Sequence, residues 1–266
     1  MLVALAVALG AAFVVAPRTL AASGSGGGFA DERELREALG EAFVEYWASG
    51  ARDFSPGLES VVDYWFRYHV AKAVIAAILL VVLVALGVLL WKAFLRAGGP
   101  EVGKRAVLAT AGVLVTMCAL FSLVLVMANF QGAAAPFSSL LPLLTGGGAE
   151  GELADTLDQI RQRLAESLSA GGQTPPPLEV MIGDFARYHV AMAVIAGTVA
   201  AVFIGVSVVM WKRFAGTGSG RTRRLLGSFG VLSVVLLLAV IVVVVANTTT
   251  AADPGPALLA FFEGGW

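Results

Sequence analysis

The sequence predicts an all-α integral membrane protein. It is expected to be a four-helix transmembrane bundle built from two parallel tandem repeats, one pair of spans each, with amphipathic helices on the extracytoplasmic side. Three observations carry this expectation. Of 266 residues, 58% are hydrophobic and 14% charged, whereas an average soluble domain carries about 25% charged residues. Four apolar runs are long enough for a bilayer core, which takes about 20 helical residues. And RYHVAKAVIA at 67–76 returns as RYHVAMAVIA at 187–196, nine of ten positions matching at an offset of 120.

The chain starts with a shorter apolar run, Leu2–Pro17, followed by Arg18 and Thr19-Leu20-Ala21-Ala22. An apolar core with small residues behind it reads as a secretory signal peptide over 1–22, although the basic leader is missing. The alternative is an uncleaved N-terminal anchor. Residues 23–30, with Gly24-Ser25-Gly26-Gly27-Gly28, read as a flexible linker.

The first repeat is expected over 31–148. It opens on DERELREALGEAFVEYW, where Leu35, Leu39, Phe43 and Trp47 are four apart with Ala38, Ala42 and Tyr46 beside them. That is the spacing of an amphipathic helix. After the break at Ser55-Pro56-Gly57 come a span at 70–90, a basic loop, a span at 106–128 and an apolar segment, PFSSLLPLLTGGG. The second repeat, 149–266, has the same order. Leu153, Leu157, Ile160, Leu164 and Leu168 mark an amphipathic helix, Pro175-Pro176-Pro177 a break, 190–210 and 225–246 the spans, and PGPALLAFFEGGW the apolar tail. Trp91-Lys92 corresponds to Trp211-Lys212, and at an offset of 118 Ala128-Asn129 corresponds to Ala246-Asn247. Each unit holds an even number of spans, so both copies point the same way, related by an axis along the membrane normal. Backbone groups in lipid must be satisfied within the segment, which makes the spans helical.

Orientation follows from the basic residues. Lys92, Arg96, Lys104 and Arg105 fall in 91–105, and Lys212, Arg213, Arg221, Arg223 and Arg224 in 211–224. Excess Lys and Arg marks cytoplasmic loops. Segments 23–69, 129–189 and 247–266, which hold most of the acids, are then extracytoplasmic, and the expected location is the plasma membrane.

The repeated Arg67-Tyr68-His69 and Arg187-Tyr188-His189 sit where polar sequence meets a span. The simplest role is interfacial anchoring: Tyr and Trp settle at headgroup level and Arg snorkels to it, so Tyr68 and Tyr188 bracket the spans with Trp91 and Trp211. The histidines would then bond locally, to acids such as Asp63 and Asp184. A second role is a polar clamp or pH-sensitive latch, since His titrates near neutrality. His69 and His189 are also weak candidates for holding a metal or a bis-His haem. Two ligands are few for zinc, and close helix packing leaves no slot for a porphyrin. Ala193, Gly197, Ala201 and Gly205 continue from His189 at four-residue spacing, and such stripes let helices approach closely in lipid. They are expected to form a seam with the first span, bringing the two histidines together. Lys72, the only charge within the four runs, lies one turn from the boundary and is expected to snorkel outward.

Several functions find no support. A net charge of −1 lacks the basic footprint of a nucleic-acid binder. Cys118 is alone, so no intrachain disulfide or zinc motif forms, and it reads as a small buried hydrophobe. No nucleophile–base constellation, phosphate loop or metalloprotease motif is present, so no enzyme activity, cofactor or metal is expected. The leading expectation is a scaffold or accessory subunit. Its partners would be the lipid bilayer, a membrane protein or further copies of itself, met at the extracytoplasmic face through the apolar sides of the outer helices. The alternative is a small transporter of an apolar substrate, because midspan residues are nearly all Val, Leu, Ala and Gly. A redox or metal-binding subunit using His69 and His189 comes third.

Overall fold

The computed structural model describes residues 1–23, 28–97, 102–146, 148–170 and 174–265. Most of the expected Gly/Ser linker and the tip of the first basic loop lie outside them. The described residues form helices without strands: α1 (Leu2–Ala22), α2 (Glu32–Ser49), α3 (Pro56–Arg96), α4 (Val102–Ala134), α5 (Pro136–Thr145), α6 (Gly151–Ala170), α7 (Pro176–Gly216), α8 (Gly220–Ala252) and α9 (Pro254–Phe262). Five of them, α1, α3, α4, α7 and α8, are long and apolar enough to cross a membrane. The N-terminal run is thus a fifth helix of that kind beside the four expected.

Local chemistry explains the boundaries. Asp31 caps α2 by accepting from Glu34 N at 2.9 Å, and Glu34 reaches back to Ala30 N. Gly50, at φ 62°, closes the helix in the left-handed conformation that glycine adopts without strain. Proline opens α3, α5, α7 and α9, where its missing N–H would have had no helical partner anyway. Pro56 and Pro176 therefore start helices that run through the RYHVA boundary without a break, giving 41 residues in each of α3 and α7. The basic residues expected in loops sit on helix ends for the same reason. Lys92 and Arg96 belong to α3, Lys212 and Arg213 to α7, and Arg221, Arg223 and Arg224 to α8.

The chain divides into two compact units. The apolar unit comprises Met1–Val14, Lys72–Ala128 and Met192–Ala246. Its outward surface is rich in large aliphatic and aromatic side chains, among them Val81, Leu114, Phe121, Leu238 and Val242, all more than half exposed. Such a surface is suited to lipid. Inside, Ser122 donates to the Ala76 carbonyl at 2.9 Å, an interhelical bond. The Trp91 ring lies on Gly112, where an added Cβ would come within 2.9 Å of it, and Trp91 Nε1 donates to Thr116 Oγ1 at 3.2 Å. Trp211 lies on Gly230 in the same manner, at 3.1 Å. Both tryptophans thus serve as packing wedges as well as polar-edged rings. Lys72 Nζ stands 4.7 Å over the Phe13 ring, a cation–π contact.

Two expectations for this unit need correcting. α7 is buried along Ala196, Ala200 and Ser207. Gly197 and Gly205 have no atom within 4 Å of an added Cβ, and Ala201 is exposed. The stripe Ala193, Gly197, Ala201, Gly205 is therefore not the line along which α7 packs within this chain. Cys118 is exposed, not buried. A span that is apolar on every side carries no periodicity to say which face turns inward.

The second unit comprises Val15–Ala71, Asn129–Ala191 and Asn247–Trp266. Its core is assembled by the amphipathic faces read from the sequence. Leu35, Leu39, Phe43 and Tyr46 of α2 meet Leu157, Ile160 and Leu164 of α6, Phe137, Leu140, Leu141 and Leu144 of α5, and Leu258, Phe261 and Phe262 of α9. The expected exposed apolar faces of the outer helices are therefore covered by each other. Fully burying one such side chain contributes about 1.5–3 kcal/mol, so the dozen largest dominate the unit's stability. Polar bonds fix the register: Trp47 Nε1 donates to Gln159 Oε1 at 3.2 Å, Arg161 Nε to the Phe262 carbonyl at 2.7 Å, and Arg52 pairs with Glu179. Tyr46 is fully buried, and burial pushes its phenol up to about 12. Ala21, at the end of α1, is also fully buried in this core.

Candidate functional site

Both RYH motifs lie in the second unit, and each histidine meets an asparagine of the same half of the chain. His69 Nδ1 is 3.0 Å from Asn129 Oδ1, and His189 Nδ1 is 2.8 Å from Asn247 Oδ1. With Nδ1–H donating to the amide oxygen, a neutral ring carries its lone pair on Nε2. Each imidazole is also held edge-on by the aromatic residue one turn earlier, His69 by Trp65 at 4.9 Å and His189 by Phe185 at 4.7 Å between centroids. The motif is therefore a clamp joining the first long helix of each half to the second. The clue in the sequence was the duplicated Ala-Asn step at 128–129 and 246–247, which marks the partner. Asparagine was not singled out beforehand because it neither ionises nor stands at a catalytic spacing.

The acids named as histidine partners are engaged elsewhere. Asp63 accepts from Arg67 Nε at 2.8 Å. Asp184 accepts from Ser138 N at 2.9 Å and lies 3.4 Å from Arg187 Nη1. Ala135, the residue before α5, provides no side-chain cap, so Asp184 supplies the missing acceptor from a different helix. Tyr68 stacks on Trp65 at 5.2 Å, and the Tyr188 carbonyl accepts from Gln131 Nε2 at 3.2 Å. Arg67 and Arg187 reach the surface. Arg-Tyr-His thus divides its work: Arg to a carboxylate one turn back or nearer, Tyr to the packed unit, His to the next long helix.

The two clamps differ in their surroundings. The His69 ring lies flat on Gly132, where an added Cβ would come within 2.7 Å of Cε1 and 2.8 Å of both ring nitrogens. The position 118 residues on is Thr250. Trp65 Nε1 donates to Ser139 Oγ at 2.8 Å, whereas the corresponding residues are Phe185 and Ala257. A cavity of about 200 Å³ opens there, lined by Phe185, His189, Thr250, Ala257, Ala260 and Gly265. That is below the roughly 300–1,000 Å³ of ordinary cofactor pockets, so it does not fit a haem. Among the described residues, no three His, Cys, Asp or Glu side chains gather as a metal site.

A second feature gathers acids from two of the segments expected to be extracytoplasmic. Glu37, Glu41 and Glu45 of α2 face Glu150 and Glu152 across an open groove of about 710 Å³ floored by Gly40, Val44 and Leu153. Glu37 is paired with Arg33, and the groove's one cation, Arg36, is paired with Glu32. Glu41, Glu45, Glu150 and Glu152 are exposed and make no ion pair among the described residues. The groove forms because α2 and α6 approach closely at Gly40, whose added Cβ would touch Leu153 at 3.4 Å.

Among the described residues, these features define an all-helical protein with five helices long and apolar enough to cross a membrane, and a polar-helix unit with its own core. The chain matches no protein-family model, no curated protein and no solved structure.

Proposed function

We propose that this is a non-enzymatic scaffold or accessory subunit of the plasma membrane, docking a basic segment of a partner protein at the acidic groove between α2 and the start of α6. The observation that carries the reading is the groove itself: four exposed carboxylates that make no ion pair among the described residues, around an apolar floor. Opposite charge steers association and sets specificity, and the floor gives an aliphatic stem or ring something to cover. Because α2, α5, α6 and α9 bury one another's apolar faces, recognition falls to this charged surface rather than to an uncovered hydrophobic one. In this reading the two halves are tandem copies, the polar-helix unit is extracytoplasmic, and the basic helix ends are cytoplasmic. Full burial of Ala21 supports a retained N-terminal anchor over a removed signal.

The test is purification of the full chain in mild detergent, as wild type and as Glu41→Lys/Glu45→Lys/Glu150→Lys. The expected result is a stoichiometric protein held by the wild type and lost from the variant, with release of that protein from the wild type as salt rises. Equal retention by both chains, or no stoichiometric protein with the wild type, overturns the proposal.

A further inference from the structure

We propose that a basic cavity at one end of the apolar unit is a binding site for the phosphate headgroup of an anionic phospholipid. The cavity, of about 500 Å³, lies between the C-terminal end of α3 and the start of α8, and Trp91, Phe94, Gly220, Arg221, Arg224 and Ser228 line it. That volume falls within the roughly 300–1,000 Å³ of ordinary ligand pockets. Its charged groups have one sign. Among the described residues, Arg221 and Arg224 make no ion pair and no acid lines the cavity. Arg221 is held in place, since its Nη1 donates to the Ala97 carbonyl at 2.7 Å. Gly220 and Arg221 also open α8, a 33-residue helix whose leading N–H groups have no intrahelical partner and carry the positive end of its dipole. The sequence of this unit holds a single acid, Glu101, which lies outside the described residues.

Both walls continue into the span as apolar tracks, and this selects a lipid over a free phosphate. On α3, Val88, Val84 and Val81 follow from Trp91 at three- and four-residue spacing; on α8, Val231, Val235 and Leu238 follow from Arg224 and Ser228 in the same way. Residues so spaced share a helix face, and all six are exposed. Each face that lines the cavity therefore runs on as a surface suited to acyl chains. A guanidinium pairs with phosphate oxygens through parallel N–H bonds, basic pockets between membrane helices hold such headgroups, and an indole settles at headgroup level. A zwitterionic headgroup would bring its own cation to the arginines, so the site selects net negative charge. The arrangement belongs to one pair of helices. Trp211 and Phe214 correspond to Trp91 and Phe94 at an offset of 120, but the residues 118 positions before Arg221 and Arg224 are Gly103 and Ala106.

Phosphatidylglycerol is the probe, with phosphatidylcholine as the zwitterionic headgroup on the same chains. The full chain in mild detergent is titrated with each, and bound lipid is counted by native mass spectrometry. Phosphatidylglycerol should saturate at a single tightly held copy and bind at least about tenfold more tightly than phosphatidylcholine. Arg221→Gln/Arg224→Gln should remove that preference. Arg224→Gln alone should remove most of it, and it changes an exposed residue while leaving the Ala97 bond in place. Lys212→Gln/Arg213→Gln, which takes the same charge from the corresponding end of α7 outside the cavity, should keep the preference. Inorganic phosphate in excess should fail to displace the lipid. Equal binding of the two lipids, an equal loss in the Lys212/Arg213 variant, or displacement by inorganic phosphate overturns the proposal; the second result would point to diffuse surface charge and the third to a soluble phosphate. The headgroup preference and the displacement are both read on the wild type, so they decide the matter even where a variant does not fold.

Discussion

Gly132→Ala tests whether the His69 clamp is a rigid fitting. The added methyl would sit 2.7–2.8 Å from three atoms of the imidazole, well inside contact distance. Relief requires the ring to move, and the ring is bonded to Asn129 and held edge-on by Trp65. Overpacking of this kind costs about 1–3 kcal/mol, and weakening the His–Asn bond adds about 1 kcal/mol. Glycine-to-alanine in a helix also gains up to about 1 kcal/mol. Gly183→Ala removes that term from the comparison, because Gly183 is helical, belongs to the same unit and has nothing within 4 Å of an added Cβ. Gly132→Ala should therefore be less stable than Gly183→Ala by about 2–4 kcal/mol, read from denaturant unfolding in detergent by near-ultraviolet circular dichroism. Thr250, which stands 118 residues after Gly132, shows how the reasoning could fail, since His189 keeps its 2.8 Å bond beside it. There the neighbours are Phe185 and Ala257, and the ring has room. The same logic demands that Trp65→Phe/Ser139→Ala rescue much of the Gly132→Ala loss. Equal stability of the two alanine variants, or no rescue, would refute the account.

Tyr46→Phe should flatten the alkaline limb of stability. Burial holds the Tyr46 phenol at about 12 against an ordinary value of 10, so the folded state keeps a proton that the unfolded state releases. Its contribution, about 2–3 kcal/mol at 1.36 kcal/mol per pKa unit, is complete below pH 10 and lost as pH rises through 12. Unfolding midpoints of both chains between pH 9 and about 12 check this, and parallel curves would count against it. Phe43→Ala and Ile160→Ala remove fully buried side chains from the facing helices α2 and α6. Each should cost about 2–5 kcal/mol, and a change below about 1 kcal/mol at both sites would contradict the shared core. Asn247→Leu should cost about 1–3 kcal/mol by stranding the His189 N–H. Combined with His189→Phe it should cost less than the sum of the single changes, and additive losses would show that the two side chains do not bond.

What the sequence made legible was whatever carried a period or a punctuation mark. Leu35, Leu39 and Phe43 on α2, and Leu157, Ile160 and Leu164 on α6, were read by spacing as the apolar faces of amphipathic helices, and these faces are buried against each other. The prolines at 56 and 176 marked real boundaries, but as helix starts, which is why the helices through RYHVA run to 41 residues instead of the expected spans of about 20. Inside the spans no such mark exists. Val, Leu, Ala and Gly alternate without a polar face, so neither the stripe at Ala193, Gly197, Ala201 and Gly205 nor the burial of Cys118 could be read. The buried line is instead marked by sparse polar atoms: Ser122 reaches across to Ala76, and Ser207 and Ser233 turn inward. In lipid a hydroxyl that faces inward is more informative about packing than a small residue, because the hydroxyl has a cost to avoid and the small residue has none.

The histidines show the same rule from the other side. Both were singled out because histidine is the residue most often asked to titrate or to bind metal, and both turn out to hold an asparagine across to the next long helix. A clamp of this kind joins two helices by one directed bond, and the space beside the ring is the part that differs. Beside His69 the neighbouring space is filled by Trp65 and Ser139; beside His189 it is open. Two positions that agree in Arg, Tyr, His and Asn therefore diverge at three residues around the ring: Trp65 against Phe185, Ser139 against Ala257 and Gly132 against Thr250. The shared residues account for how each half is tied together. The differences are where any activity peculiar to one half has to be sought, and all three fall on the His189 cavity or on its counterpart.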